Sequence, residues 1–249
     1  MIRSTDDALL HPGQSLSSTL LETGGFMGRM TFSLFAAVAL VALASSCGDS
    51  PGSGGIADED YFPFAIGNNW SYDRYGTIDT LGVTFTLSGQ ALRGVVGIAY
   101  EEGYSLIQVN SVAADTLFAE GLDTIPVPQG GVAFFRMDSE GVWAYTDSVM
   151  SDSVQIARFP LQAGDTWLFS TDPEATAEVV SMTETVTVPE GTFDDVLHIS
   201  VLQQDTLLSM VQDMYFAPGV GNILNETTVS AGTIVVASIT EELLDAFLF

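Results

Sequence analysis

From Val83 onward, apolar and polar positions alternate with the period of a β-strand. Val83, Phe85 and Leu87 alternate with Thr84, Thr86 and Ser88, which predicts a half-buried strand. Tyr104–Val109 is a second strand candidate. Gly130-Gly131 opens a third through Val132–Met137, and Asp138–Gly141 reads as a hairpin loop leading into Val142–Tyr145. Ser153–Phe159 and Val186–Val188 continue the pattern, and Pro189-Glu190-Gly191 is a turn before Thr192-Phe193. Leu197, Ile199 and Val201 face one way, and His198 and Ser200 the other, so His198 is expected as a solvated residue on a polar face. Pro218-Gly219 should break the segment Met214–Ala217, and Gly221 allows a sharp change of direction. Ile239–Phe249 reads either as a last strand or as one short helix through Glu241–Leu244. Short strands with turn residues at this spacing predict an all-β fold, an antiparallel sandwich or a partly open barrel. A transmembrane barrel is not expected, because the strands lack regular ten-residue apolar/polar segments.

One stretch occurs twice. Phe62-Pro63-Phe64-Ala65-Ile66-Gly67-Asn68-Asn69-Trp70-Ser71-Tyr72 returns 97 residues later as Phe159-Pro160-Leu161-Gln162-Ala163-Gly164-Asp165-Thr166-Trp167-Leu168-Phe169. The residue before proline is pushed to an extended conformation, Gly-Asn and Gly-Asp are turn dipeptides, and residues two apart in a strand share a face. Each copy therefore predicts an extended segment, a tight turn and a strand that points two aromatics the same way. The domain reads as two loosely similar halves, about 61–157 and 158–249. Trp70, Tyr72, Trp167 and Phe169 are expected as core anchors, and the alternative is an aromatic ligand platform formed by these four with Trp143.

The N-terminal text is of another kind. Residues 1–26 show no sustained apolar period and are expected to be a gene-model extension. From Met27, Arg29 precedes the apolar run Thr31–Leu43, a positive n-region and an h-region of signal-peptide length. The run ends in Ala44-Ser45-Ser46-Cys47, which resembles the lipobox of bacterial lipoproteins, with Ala44 where Leu is usual. That resemblance implies a signal peptide over 27–46, lipidation of Cys47 and membrane attachment through it. A plain secretory signal cleaved near Ser46 and a retained membrane anchor are the alternatives. Residues 47–60 then form a lipidated cysteine and a Gly/Ser tether with a short acidic run, holding the β-rich domain 61–249 off the membrane. Gly48-Asp49-Ser50-Pro51-Gly52 matches G-x-S-x-G, but it lacks the strand before and helix after that a nucleophile elbow requires.

Composition narrows the functions. The single cysteine is consumed by lipidation, so stability must come from the core. The chain has 6 basic residues against 32 acidic, a formal charge of −26, and all six bases are arginine. Binding a phosphate backbone needs clustered positive charge, so nucleic acid is excluded as a partner. With His198 the only histidine after Cys47, and no carboxylate loop of calcium-binding spacing, no metal site and no cofactor is expected.

Phe-Pro-x-x-x-Gly-x-x-Trp-x-Tyr after a lipobox, Val188-Pro189-Glu190-Gly191-Thr192-Phe193 and Tyr215-Phe216-Ala217-Pro218-Gly219-Val220-Gly221 together resemble a group of uncharacterised bacterial lipoproteins. The resemblance covers most of residues 47–249. It implies an exported, lipid-anchored β-domain in the cell envelope and transfers no catalytic residue. The expected function is non-enzymatic binding or scaffolding of another envelope component. The alternatives are a carrier of lipid or another apolar ligand in a half-open barrel, supported by 15 Phe and a mean hydropathy of +0.31, and a carboxylate hydrolase. Gly48 follows the cysteine where the familiar inner-membrane retention signal places Asp, so outer-membrane delivery is expected.

Overall fold

The computed structural model describes residues 56–249, apart from Leu81, Glu102 and Ser151. Cys47, the signal segment and most of the tether lie outside the described residues. A 3-10 turn, Asp58–Tyr61, leads into strands β1 (Asn69–Thr80), β2 (Val83–Glu101), β3 (Tyr104–Phe118), β4 (Ile125–Asp138), β5 (Gly141–Tyr145) and β6 (Ser153–Arg158). They are followed by β7 (Thr166–Thr171), β8 (Glu174–Val188), β9 (Gly191–Gln204), β10 (Ser209–Ala217), β11 (Gly221–Ala231) and β12 (Ile234–Phe247). The C-terminal segment is therefore a strand, and the helix alternative falls. Glu241 and Leu243 point into the protein, and Glu242 and Leu244 lie on the other face, which is period two rather than 3.6.

The strands form one 12-stranded antiparallel sheet in the order β6-β5-β4-β3-β2-β1-β12-β11-β10-β9-β8-β7. Each strand pairs with its sequence neighbour except across β6–β7, and β1 pairs with β12. The sheet curls into a barrel closed everywhere but at one unsealed seam, between β6 and β7. The indole N–H of Trp167 in β7 crosses that seam to the Gln155 carbonyl in β6 at 2.8 Å.

Around the seam the wall is shorter. β5 covers β4 only over Phe134–Asp138, so the Ile125–Ala133 edge of β4 has no strand beside it. Pro126 and Pro128 stand two apart on this edge, so both are tolerated only where the missing N–H would point away from β3. Two donors are thereby removed from the free edge, which blunts it against pairing with another chain.

One end of the barrel is plugged by the chain that enters it. Tyr61, Phe62 and Phe64 are buried there, with Phe62 packed on Phe216 (5.1 Å between ring centres) and Phe159 (6.0 Å), and Phe64 on Phe135 (5.2 Å). Buried Asn68 donates to the Pro63 carbonyl and accepts from the Phe249 amide at 2.8 Å, which ties the end of the chain to the plug.

The glycine turns of the two copies share one geometry, although Phe159-Pro160 is a cis peptide bond and Phe62-Pro63 is not. Gly67 and Gly164 both have positive φ (100° and 90°). The Gly67 amide donates to the Val95 carbonyl and the Val95 amide to the Asn68 carbonyl. The Gly164 amide donates to the Val179 carbonyl and the Val179 amide to the Asp165 carbonyl. The same turn thus clamps β1 to β2 and β7 to β8.

Candidate functional site

Four of the five candidate platform aromatics are core anchors. Trp70 and Tyr72 point inward from β1 and are fully buried, each fixed by its polar tip. The indole donates to the Val220 carbonyl at 2.7 Å and the phenol to the Asn222 carbonyl at 3.0 Å. Burial pushes the Tyr72 phenol well above its ordinary range, against the opposing pull of Arg93, so it stays a neutral donor. Trp167 and Phe169 are also buried. Trp143, in β5, is half-buried under the Arg136 guanidinium, 4.2 Å from its ring centre, and Arg136 also lies 4.7 Å from the Tyr104 ring. A platform needs an open ring face, which these five do not share; they do not converge on one surface.

What converges inside the barrel is charge. Two residues beyond Tyr72 on the same inward face of β1 is Arg74, paired across strands with Glu241 of β12 and with Gly89 of β2. Gly89 in turn faces Asp115 of β3, and a side chain there would strike Asp115 and the Ala114 carbonyl. That missing side chain lets Asp115 reach Arg74. Arg74 bonds Asp115 through Nη1, and its Nε lies 3.0 Å from Glu241 Oε2 as an ion contact; Arg93 bonds Glu241 Oε1 and caps the Tyr72 ring at 4.6 Å. All four charged side chains are buried, two of each sign. Gln129 reaches Asp115 at 3.3 Å, and Gln212 bonds Asn225, the cross-strand neighbour of Glu241 on β11, at 3.1 Å.

This belt divides the interior. Below it Tyr72 is flanked by Ala91 and Leu243; above it Gly76 is flanked by Leu87 and Ile239, and these four flanking side chains are buried and apolar. Burial works against the charge of Arg93, but Glu241 outweighs it and holds its pKa above the usual value; burial pushes the Asp115 carboxyl up, with Arg74 opposing. The belt is not fully satisfied. Arg74 Nη2, Arg93 Nε and Nη1, Asp115 Oδ1, Asn225 Nδ2 and Thr227 Oγ1 find no hydrogen-bond partner among the described residues. Enclosed groups of this kind are met by bound water or by a polar guest.

A second cluster lies on the outer wall. His198 is not solvated as expected; it is half-buried between β8 and β10. Its Nδ1 lies 3.0 Å from Glu184 and its Nε2 3.0 Å from Asp213, and its ring stacks on Tyr215 at 4.3 Å. Burial disfavours the imidazolium, but the bonds to Asp213 and Glu184 outweigh it, and the pKa is raised. Burial likewise opposes the Asp213 charge, yet His198 and Ser200 hold that carboxyl below its ordinary value. The two acids sit on opposite edges of the ring, and among the described residues no group of three His, Cys, Asp or Glu converges as a ligand set. Alternation placed His198 on the outer face correctly; its neighbours come from other strands, at a register broken by bulges in β8.

No family model matches the chain, and no curated protein matches it. Two solved structures are similar to it. One, from Bacteroides fragilis, is described as an exported protein with a YmcC-like fold; it is 14% identical, with a TM-score of 0.40 over 74% of this chain and 96% of that one. The other, from Parabacteroides distasonis, is described as a lipoprotein; it is 14% identical, with a TM-score of 0.39 over 75% of this chain and 98% of that one.

Proposed function

We propose that the chain is an exported envelope protein, anchored through lipidated Cys47, whose barrel is a non-enzymatic binding or scaffolding domain. The observation that carries this reading is how the ionisable groups are used. Arg74 and Arg93 neutralise Asp115 and Glu241 inside the wall, and His198 has both ring nitrogens engaged by carboxylates. Groups committed in this way hold strands together and leave no base poised over an open cleft. The same pairing argues against a carboxylate hydrolase, since the two buried acids are both bound to arginine.

The unsealed seam keeps a carrier as the second reading. The belt ranks it second: a long apolar guest along the barrel axis would have to cross two arginines and two carboxylates. The outer wall mixes Ser71, Asp73 and Thr77 on β1, Glu226 and Thr228 on β11 and Glu242 on β12 with exposed Leu92, Val112, Val180 and Leu202, and polar residues interleaved in this way interrupt the apolar band that lipid tails require. Outer-membrane delivery belongs to this proposal and rests on Gly48.

The test is to express the full chain and its Cys47→Ser variant in a bacterial host, fractionate the cells and weigh the protein. The expected result is a lipid-sized mass increment and membrane retention for the first and release of the second. Equal partitioning of both would sink the anchor. A lipid that co-purifies with Cys47→Ser protein would move the carrier reading ahead of the scaffold.

A further inference from the structure

The end of the barrel into which the chain enters carries an apolar rim. Gly67 and Asn68 bond Val95, which brings Ile66 beside Val96. Asn69 pairs with Phe247 on one side and Gly94 on the other, and the Phe249 ring lies against Gly67, 4.9 Å from that of Phe247. The β2–β3 hairpin then projects from this corner with Ile98 and Tyr100. All six side chains, Ile66, Val96, Ile98, Tyr100, Phe247 and Phe249, are exposed, Tyr100 to 77%. Exposed apolar and aromatic side chains gathered at one end of a domain mark a contact site.

We propose that this rim lies in the lipid interface of the membrane to which the protein is tethered. The reading rests on lipidation of Cys47. Tether length favours the end at which it enters. Asp58, the first residue held at the barrel, follows Cys47 by eleven residues, which span about 20 Å as a Gly/Ser coil and at most about 40 Å when fully extended. A wall strand such as β9, with 14 residues, runs about 46 Å, or about 35 Å of barrel height at a tilt near 40°. The 3-10 turn is fixed at the plugged end, where the Gly219 amide bonds Asp60 and Leu161 bonds Asp58. Carrying the opposite end to the bilayer would need the tether almost fully extended, so its coil length favours the end at which it enters.

Aromatic content favours the same end. Both ends carry exposed carboxylates, Glu59, Asp60, Asp138, Glu140 and Glu190 at the plugged end and Glu120, Asp123, Asp172 and Asp205 at the other, and the opposite end also exposes Phe118, Leu122, Leu207 and Ile234, so charge does not separate the two. The rim carries two Phe and a Tyr, residue types that settle at a membrane–water boundary. The domain then rests on the membrane, instead of standing off it as the tether alone suggests.

The test joins the full chain at Cys47 to a maleimide lipid in phosphatidylcholine vesicles, so attachment does not depend on cellular lipidation. A fluorescent amino acid is placed by codon suppression at Tyr100, Phe247 or Leu207, and doxyl-labelled lipid is the quencher. The expected result is loss of fluorescence at 100 and 247 and none at 207. Equal signals at all three, or loss at 207 alone, overturn the proposal. Loss at 100 that follows protein density and not doxyl lipid assigns the rim to a second copy, which also overturns it. The mass of Cys47 from cells is read separately: an unmodified cysteine ends the anchor reading without altering the quenching result.

Discussion

Glu241 holds the interior together with one carboxylate. It is buried, bonds Arg93 and contacts Arg74, so its removal leaves two guanidinium groups enclosed with less than their share of negative charge. Breaking a buried pair by removing one partner costs about 3–5 kcal/mol. Glu241→Ala is therefore expected to lower the unfolding free energy by about that amount in urea titration. A loss under about 1 kcal/mol would show that water already screens the belt.

His198 makes a different kind of contribution, dependent on pH. Its pKa is raised by folding, so its pairing stabilises fully below the ordinary value of 6.5 and is lost as pH rises through the folded value. The Asp213 pKa is lowered, so its share is present above 3.8 and lost as pH falls through the folded value. The stability gap between the wild type and His198→Gln should be widest between those limits and shrink toward pH 9. A gap that stays constant from pH 5 to pH 9 would remove the imidazolium from the account.

At the scale of elements, the repeated turn is a clamp used twice under different crowding. Gly67 and Gly164 share a left-handed φ, which costs an L-residue about 1–2 kcal/mol. A Cβ at Gly164 meets nothing within 4 Å, whereas at Gly67 it would run into the Phe249 ring. Gly164→Ala should therefore cost about 1–2 kcal/mol, from backbone strain alone. Gly67→Ala should cost more, and Phe249→Ala in the same chain should recover the excess. Equal costs for the two alanines would mean that the C-terminal ring does not pack there in solution.

The strands themselves were largely legible along the chain. Val83–Leu87, Tyr104–Val109 and Leu197–Val201 sit inside β2, β3 and β9, and the Asp138–Gly141, Pro189–Gly191 and Pro218–Gly219 turns fall where their residues require them. Alternation failed at the C-terminus, where Glu241 is both charged and buried. A carboxylate at an inward position imitates a helix pattern unless its arginine partners, 148 and 167 residues upstream, are known to face it.

At the scale of the whole molecule, the barrel is a cyclic meander whose closure is made by the first and last strands, β1 and β12. That places both ends of the domain, the tether entry and Phe249, at the plugged end, and it leaves the weak point of the wall at the middle of the chain, between β6 and β7. The same end gathers the buried aromatics of the plug and the exposed ones of the rim. Period-two alternation, Pro and Gly at turns, the duplicated aromatic stretch and the segment ending at Cys47 are local features, each governed by neighbours within a few residues. The sequence by itself therefore determined an all-β antiparallel fold, its turns and the inward aromatics, and it carried the export and lipobox resemblance. Only the tertiary structure decided between sandwich and barrel, because closure depends on β1 meeting β12, a contact between opposite ends of the domain. It also decided that Arg74, Arg93, Asp115 and Glu241 form one belt and that His198 is bracketed by acids. Such groups meet through strand register, and one bulge changes the partner of every residue beyond it.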